Sequence, residues 1–292
     1  MSVSVTTAAY PAHLQQEIEE YLAELRFAQE PATRGLDEAM RYSLLAGGKR
    51  IRPVLSLATA EALGRSRAEV APFAAAIELI HTYSLIHDDL PAMDDDALRR
   101  GQPTCHVKYG EAVAILAGDG LFAEAIRIVT ERQAGPPGHV LAALGRLVSA
   151  AGVDGMVGGQ YVDIRGEATD LRRLHELKTG RLIAASVDCV PLLYGLAGPA
   201  TIALGRFAAE LGVLFQIVDD ILDVTGEEAA LGKPQGSDER HGKLTYVSLF
   251  GLDRARELAA ESHRKARAAL TESGFETETL DRITDYILTR TS

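Results

Sequence analysis

Tryptophan is absent from this chain, cysteine occurs only twice, and aromatic residues make up 5%. Cys105 and Cys189 lie far apart with no CxxC spacing. That leaves neither a thiolate zinc site nor a disulfide framework, and it fits a reducing compartment. Basic residues are also short: 30 Lys and Arg against 41 Asp and Glu give a net charge of −11. Nucleic acid is therefore excluded as the main partner, because phosphate backbones are held by clustered Lys and Arg. Long apolar runs are missing too. The longest uncharged stretch, Cys189 to Gly205, is broken by Pro191 and Pro199, whereas a membrane-spanning helix needs about 20 mostly apolar residues. Where a secretory signal would place a basic start and an apolar run, this chain carries Glu17, Glu19, Glu20 and Glu24. A soluble cytoplasmic protein without a membrane span is expected.

What the chain does have is helical periodicity. With 292 residues, 47% hydrophobic and 24% charged, it can bury a sizeable core. Leu, Ile, Val and Ala recur at three- and four-residue spacing over Glu17–Leu25, Leu36–Leu45, Ala68–His87, Ala112–Val129, Leu171–Val187, Thr201–Val224 and Leu244–Leu270. Alternating β-branched runs are scarce, so no strand is expected. Gly and Pro fall between the helical runs, at Gly47-Gly48, Gly64, Gly135-Pro136-Pro137-Gly138, Gly166, Gly198-Pro199 and Gly232 to Gly242. None of these is long enough to be an interdomain linker. The reading is a single all-α domain over residues 1–292, with about ten helices.

Two aspartate clusters break the helical pattern in the same way. The first is His87-Asp88-Asp89-Leu90-Pro91-Ala92-Met93-Asp94-Asp95-Asp96, at the end of an apolar helical run. Two carboxylates about 5 Å apart repel by roughly 3 kcal/mol at an effective dielectric of 20, so crowding them there is unfavourable unless cations neutralise them. Taken alone, such a cluster is more often a solvated acidic helix end. The second is Phe215-Gln216-Ile217-Val218-Asp219-Asp220-Ile221-Leu222-Asp223. Gln216, Asp219 and Asp223 share one helix face among apolar neighbours, and buried aspartates are rarely left unpaired. Capped or ion-paired aspartates would also satisfy that pattern. Two such clusters in one chain point instead to facing carboxylate helices that grip a hard cation such as Mg²⁺.

Cationic residues stand beside Gly or beside these clusters: Lys49 and Arg52 after Gly47-Gly48, Arg99 and Arg100 after the first cluster, Lys178 with Thr179 within a helix, and Lys233 and Lys243 around a Gly-rich loop. Arg and Lys together with Mg²⁺ are what diphosphate oxygens require. A nucleotide P-loop is excluded, since Gly48-Lys49 is followed by Arg and Gly242-Lys243 by Leu. GxSxG and HExxH are absent and the 8 His are dispersed. That leaves metal-assisted ionisation rather than covalent catalysis.

From Gly47 to Tyr246 these residues resemble the trans-isoprenyl diphosphate synthases, in particular the bacterial farnesyl type. Asp88-Asp89-Leu90-Pro91-Ala92-Met93-Asp94 is similar to that family's longer first motif, DDxxxxD, and Asp219-Asp220-Ile221-Leu222-Asp223 to its second, DDxxD. The resemblance implies an all-α isoprenoid synthase fold around a central cavity, usually a homodimer. It implies condensation of isopentenyl diphosphate with an allylic diphosphate, and three Mg²⁺ ions per site held by Asp88, Asp94 and Asp219. Asp89, Asp220 and Asp223 would orient ligands or waters. Lys49, Arg52, His81 and Arg100 would hold isopentenyl diphosphate; Arg99, Lys178, Lys233 and Lys243 the allylic diphosphate. Lys178, Thr179 and Gln216 would face the developing cation. His81, seven residues before Asp88, lies on that aspartate's helix face.

On an unbroken helix Asp95 would share a face with Asp88 better than Asp94 does; the family pattern selects Asp94, and Pro91 provides a reason for the helix to break. Tyr83, about 7.5 Å up the helix axis from Asp88, stands where the resemblance places a chain-length floor, giving a farnesyl product. A geranylgeranyl synthase is the alternative within the family. A class I terpene cyclase would carry an NDxxSxxxE-type second motif, and Asp219 to Glu227 does not match it. A noncatalytic prenyl synthase subunit would lack aspartates or cations that are all present here.

Overall fold

Arg50 adopts a left-handed backbone conformation (φ 51°) and its side chain is buried, and much of the N-terminal half is organised around it. Its guanidinium donates to Glu19 at 2.7 Å, to Glu78 at 2.7 Å and to the Leu44 carbonyl at 2.6 Å. Those bonds tie together α1 (Ala12–Glu24), the end of α2 (Arg34–Leu44), the start of α3 (Ile51–Ala62) and the middle of α4 (Arg67–Asp88). The computed structural model describes residues 9–166, 170–226 and 244–290.

Among the described residues the chain continues with α5 (Cys105–Tyr109), α6 (Glu111–Arg132), α7 (Pro137–Ala151), α8 (Met156–Arg165), α9 (Leu171–His175), α10 (Arg181–Leu193), α11 (Pro199–Thr225), α12 (Tyr246–Phe250), α13 (Leu252–Ser273) and α14 (Glu278–Thr289). The all-α expectation holds, with eleven helices of ten residues or more and three single-turn ones among the described residues, against the about ten expected. α4 and α11 run through the middle of the bundle and carry the two aspartate clusters at their C-terminal ends. α4 packs chiefly on α6 and α3, and α11 on α13 and α10. α4 buries most of its circumference, from Val70 through Leu79, Ile80 and Ile86. Pro72 interrupts its hydrogen-bond ladder, and the Gln133 side chain fills the break, accepting from the Phe73 N–H (3.1 Å) and donating to the Glu69 carbonyl (2.8 Å).

Three local features depart from expectation. A two-residue antiparallel ladder pairs Leu98 with Pro103 and Arg99 with Gln102, too short for alternation to show in sequence. Its turn residues, Arg100 (φ 53°) and Gly101 (φ 75°), both have positive φ, the conformation that two-residue hairpin loops favour. The run Leu171–Val187 is not one regular helix: a π-helical turn, Glu176–Gly180, separates α9 from α10. The run from Leu244 breaks at Gly251 (φ 79°) into α12 and α13. Two stretches, Pro137–Arg165 and Pro199–Thr225, are long and apolar enough by composition to cross a bilayer. The first is interrupted between α7 and α8, and the second is the central helix of the bundle and carries Asp219, Asp220 and Asp223.

Candidate active site

The ends of α4 and α11 face a common cavity of about 570 Å³. Asp88 and Asp219 line it, together with Arg52, His81, Tyr83, Arg99, Arg100, Lys178 and Thr179. Residues separated by more than a hundred positions in sequence thus share one concave surface in which acidic and basic groups alternate.

The α4 end is shaped by Pro91, which supplies no N–H. The chain then folds back, so that the Asp94 N–H donates to the Asp88 carbonyl (2.9 Å) and the Asp95 N–H to the Leu90 carbonyl (3.1 Å), Asp95 itself having φ 54°. This return places the Asp94 carboxylate where it acts on Asp88 electrostatically. Burial pushes the Asp88 carboxyl up to about 6; Asp94 and Asp89 add to the rise, while Lys178 and Arg99 oppose it. Asp89 points elsewhere: it is buried and bonded by Arg99 Nε and Nη2 at 2.7 and 2.6 Å.

On the facing wall, Lys178 and Thr179 sit in the π-helical turn, a device that widens a helix by one residue and recurs at functional sites. Two glycines allow this turn to approach its neighbours. A Cβ at Gly159 would fall 2.3 Å from the Lys178 backbone nitrogen, and one at Gly212 would fall 3.0 Å from Gly180 Cα. Lys178 Nζ pairs with Asp163 at 2.5 Å, and the Thr179 hydroxyl donates to Gln216 Oε1 at 3.2 Å. Asp219 is held by Arg290, Nη2 to Oδ1 at 2.5 Å, and the same guanidinium lies 4.4 Å from the Phe215 ring centroid.

Arg52 and Arg100 line the cavity next to Gly47 and Gly48, whereas Lys49 is not among its lining residues. Arg100 donates to the Gly47 carbonyl and lies flat over Gly48, where a Cβ would meet its guanidinium carbon at 2.6 Å. Burial pushes Lys49 down to about 8, and Arg290 pushes in the same direction while Asp219 opposes it. Burial also lowers Arg52, whose Nε has no hydrogen-bond partner among the described residues. His81 is held well below the usual imidazole range by burial, with Arg52, Arg100, Arg99 and Arg50 adding to the effect. Arg52 and Arg100, acting on a buried His81, are poised for an anionic ligand.

Tyr83 projects into the same cavity and meets Phe122 and His87 edge-on, with ring centroids at 5.3 and 5.7 Å. Gly118 admits His87 against α6, since a Cβ there would fall 2.1 Å from its Nε2. Lys233 and Lys243 lie outside the described residues. Three residues escaped the sequence reading: Asp163, which pairs Lys178; Gln160, a cavity residue whose buried amide has no partner among the described residues; and Arg290. The i, i+3 pair Gln160 and Asp163, following Gly158-Gly159, was a usable signal for the first two. Nothing local distinguishes Arg290 from a surface arginine.

The donor set fits a hard dication. Asp88, Asp94 and Asp219 offer only carboxylate oxygens, the donors that a hard dication takes. Among the described residues no three His, Cys, Asp or Glu side chains form a metal site by themselves.

Residues 33–286 match the polyprenyl synthetase family. The chain is 44% identical to farnesyl diphosphate synthase of Geobacillus stearothermophilus, over 94% of this chain and 99% of that one. It is 46% identical to the chloroplastic geranylgeranyl pyrophosphate synthase of Capsicum annuum, over 87% of this chain and 71% of that one. The crystal structure of Helicobacter pylori geranyltransferase complexed with magnesium and isoprenyl diphosphate superposes with a TM-score of 0.83 at 32% identity, covering 99% of this chain and 98% of that one.

Proposed function

The chain belongs to the polyprenyl synthetase family, and from that premise we propose that it condenses isopentenyl diphosphate with dimethylallyl or geranyl diphosphate to give farnesyl diphosphate and diphosphate. The observation that carries this reading is the cavity itself, which Asp88 and Asp219 line together with Arg52, Arg99, Arg100 and Lys178. Asp88, Asp94 and Asp219 would hold Mg²⁺, three ions in all, and the metal would supply charge stabilisation to the departing diphosphate.

This chain's own residues do the rest. Arg99 and Lys178 hold the allylic diphosphate; Asp89 and Asp163 fix those two cations in place. Lys49, Arg52, His81 and Arg100 receive isopentenyl diphosphate. The Thr179 hydroxyl, the Gln216 amide oxygen and the backbone around Lys178 present negative dipoles to the allylic carbon as its bond to oxygen breaks. The isopentenyl double bond then attacks that carbon, and the released diphosphate takes the proton lost from the adduct. No protein base is needed.

Sequence identity does not select the product length, since the C15 and C20 relatives match about equally. The edge-on stack of Tyr83 on Phe122 supports a floor at the C15 depth. Leu98, Val107, Ile115 and Leu116, each about half-exposed on the hairpin, α5 and α6, support pairing with a second copy, and the enzyme acts in the cytoplasm as one domain. Substitution tests the site: Asp88→Ala and Asp219→Ala should each remove Mg²⁺-dependent diphosphate release by roughly 10³-fold or more. Full turnover by either variant would contradict the reading.

A further inference from the structure

We infer that Asp220 is a positioning residue that sets the direction of hydrogen bonding through Gln216 to Thr179, and so turns the Thr179 oxygen's lone pairs toward the reacting carbon. The inference rests on the proposed role of Thr179 beside the allylic cation.

Whereas its neighbour Asp219 lines the cavity and pairs with Arg290, Asp220 is 2% exposed. Its Oδ1 accepts from Gln216 Nε2 at 2.9 Å, and its Oδ2 accepts from the Tyr246 backbone N–H at 2.7 Å. A carboxylate only accepts, and the Tyr246 N–H only donates, so neither contact can reverse. Gln216 must then turn its NH₂ to Asp220 and its oxygen to Thr179. That oxygen accepts the Thr179 hydroxyl hydrogen at 3.2 Å. With its hydrogen committed to Gln216, Thr179 has only lone pairs left to present to the cavity it lines.

Without an acceptor-only group at 220, the amide of Gln216 could rotate by half a turn. Its NH₂ would then donate to Thr179, whose freed hydrogen would face a carbon that is gaining positive charge. The same carboxylate, through Tyr246, anchors the start of α12 to the second aspartate helix. Asp220 therefore acts on the reaction through Gln216 and Thr179 rather than on the diphosphate.

Asp220→Asn tests this with little change of shape. Its carbonyl can keep the Tyr246 N–H, but its NH₂ then opposes the NH₂ of Gln216 and forces the amide to rotate. Loss of one aligned dipole at a developing charge commonly costs 10²–10³ in turnover. We expect kcat to fall by roughly 10²-fold, with KM for both substrates within about 3-fold of wild type and an unchanged melting temperature. Adding Gln216→Glu to that variant supplies an acceptor-only group in the middle of the relay: one oxygen accepts from the introduced amide and the other from Thr179. The double variant should recover kcat at least about tenfold over Asp220→Asn, which a general folding defect would not allow. Wild-type kcat in Asp220→Asn, or no recovery in the double variant, would overturn the inference. Wild-type enzyme run in parallel separates the two readings: absence of its own elongation would refute the proposed function instead.

Discussion

Raising the pH through 8 should weaken capture of isopentenyl diphosphate by titrating a single residue, Lys49. The lysine is partly buried beside Arg290 and Asp219, and its backbone is fixed by the Tyr10 hydroxyl donating to its carbonyl at 2.6 Å. Burial and then Arg290 bring the ammonium down to about 8. The sign follows directly: below that value Lys49 is charged, and above it the residue is neutral. At pH 7 about nine-tenths of the free enzyme carries the ammonium, and at pH 9 about one-tenth does. If only the charged form binds the diphosphate, KM for isopentenyl diphosphate rises close to tenfold between those pH values. At saturation kcat changes much less, because bound diphosphate pulls the proton back. Lys49→Arg keeps its charge across the range and should flatten the KM profile. The assay is steady-state release of diphosphate at fixed saturating allylic substrate, from pH 6.5 to 9.5. A wild-type KM that stays flat, or one that rises equally in Lys49→Arg, would refute the assignment.

Arg50→Met should destabilise the fold by about 3–5 kcal/mol, since it strands Glu78, 2% exposed, without its buried partner; the melting temperature should drop by on the order of 10 °C. Glu78→Met in the same chain should restore a large part, and calorimetry checks both. Tyr83→Ala opens the stack on Phe122 and should shift product from C15 toward C20, read by chromatography of the dephosphorylated alcohols; an unchanged distribution removes Tyr83 from the floor. Asp94→Ala should cost roughly 10²-fold or more in kcat and Asp95→Ala far less, because the loop after Pro91 returns Asp94 to Asp88; the reverse order would make Asp95 the ligand.

The two aspartate helices were legible because each couples a long apolar period to a cluster of like charge that no core would tolerate without purpose. α4 and α11 accordingly lie within about two residues of the runs Ala68–His87 and Thr201–Val224. The π-helical turn was not legible, because apolar residues continue through Leu171–Val187 and one widened turn leaves the period nearly intact. The hairpin that aims Arg99 and Arg100 has only two residues in each strand, too few for any pattern. Helical numbering alone favours Asp95, and only the returning loop, with the Asp94 N–H on the Asp88 carbonyl, places Asp94 beside the first aspartate. Arg290 reaches Asp219 across 71 positions, a tertiary contact with no local signature.

The most direct test of the account is incubation of the purified protein with isopentenyl and dimethylallyl diphosphates, with and without Mg²⁺, followed by chromatography of the dephosphorylated products. The account predicts a dominant fifteen-carbon alcohol that forms only when the metal is present. Absence of any elongated product with Mg²⁺ present, or elongation unaffected by its removal, would contradict it.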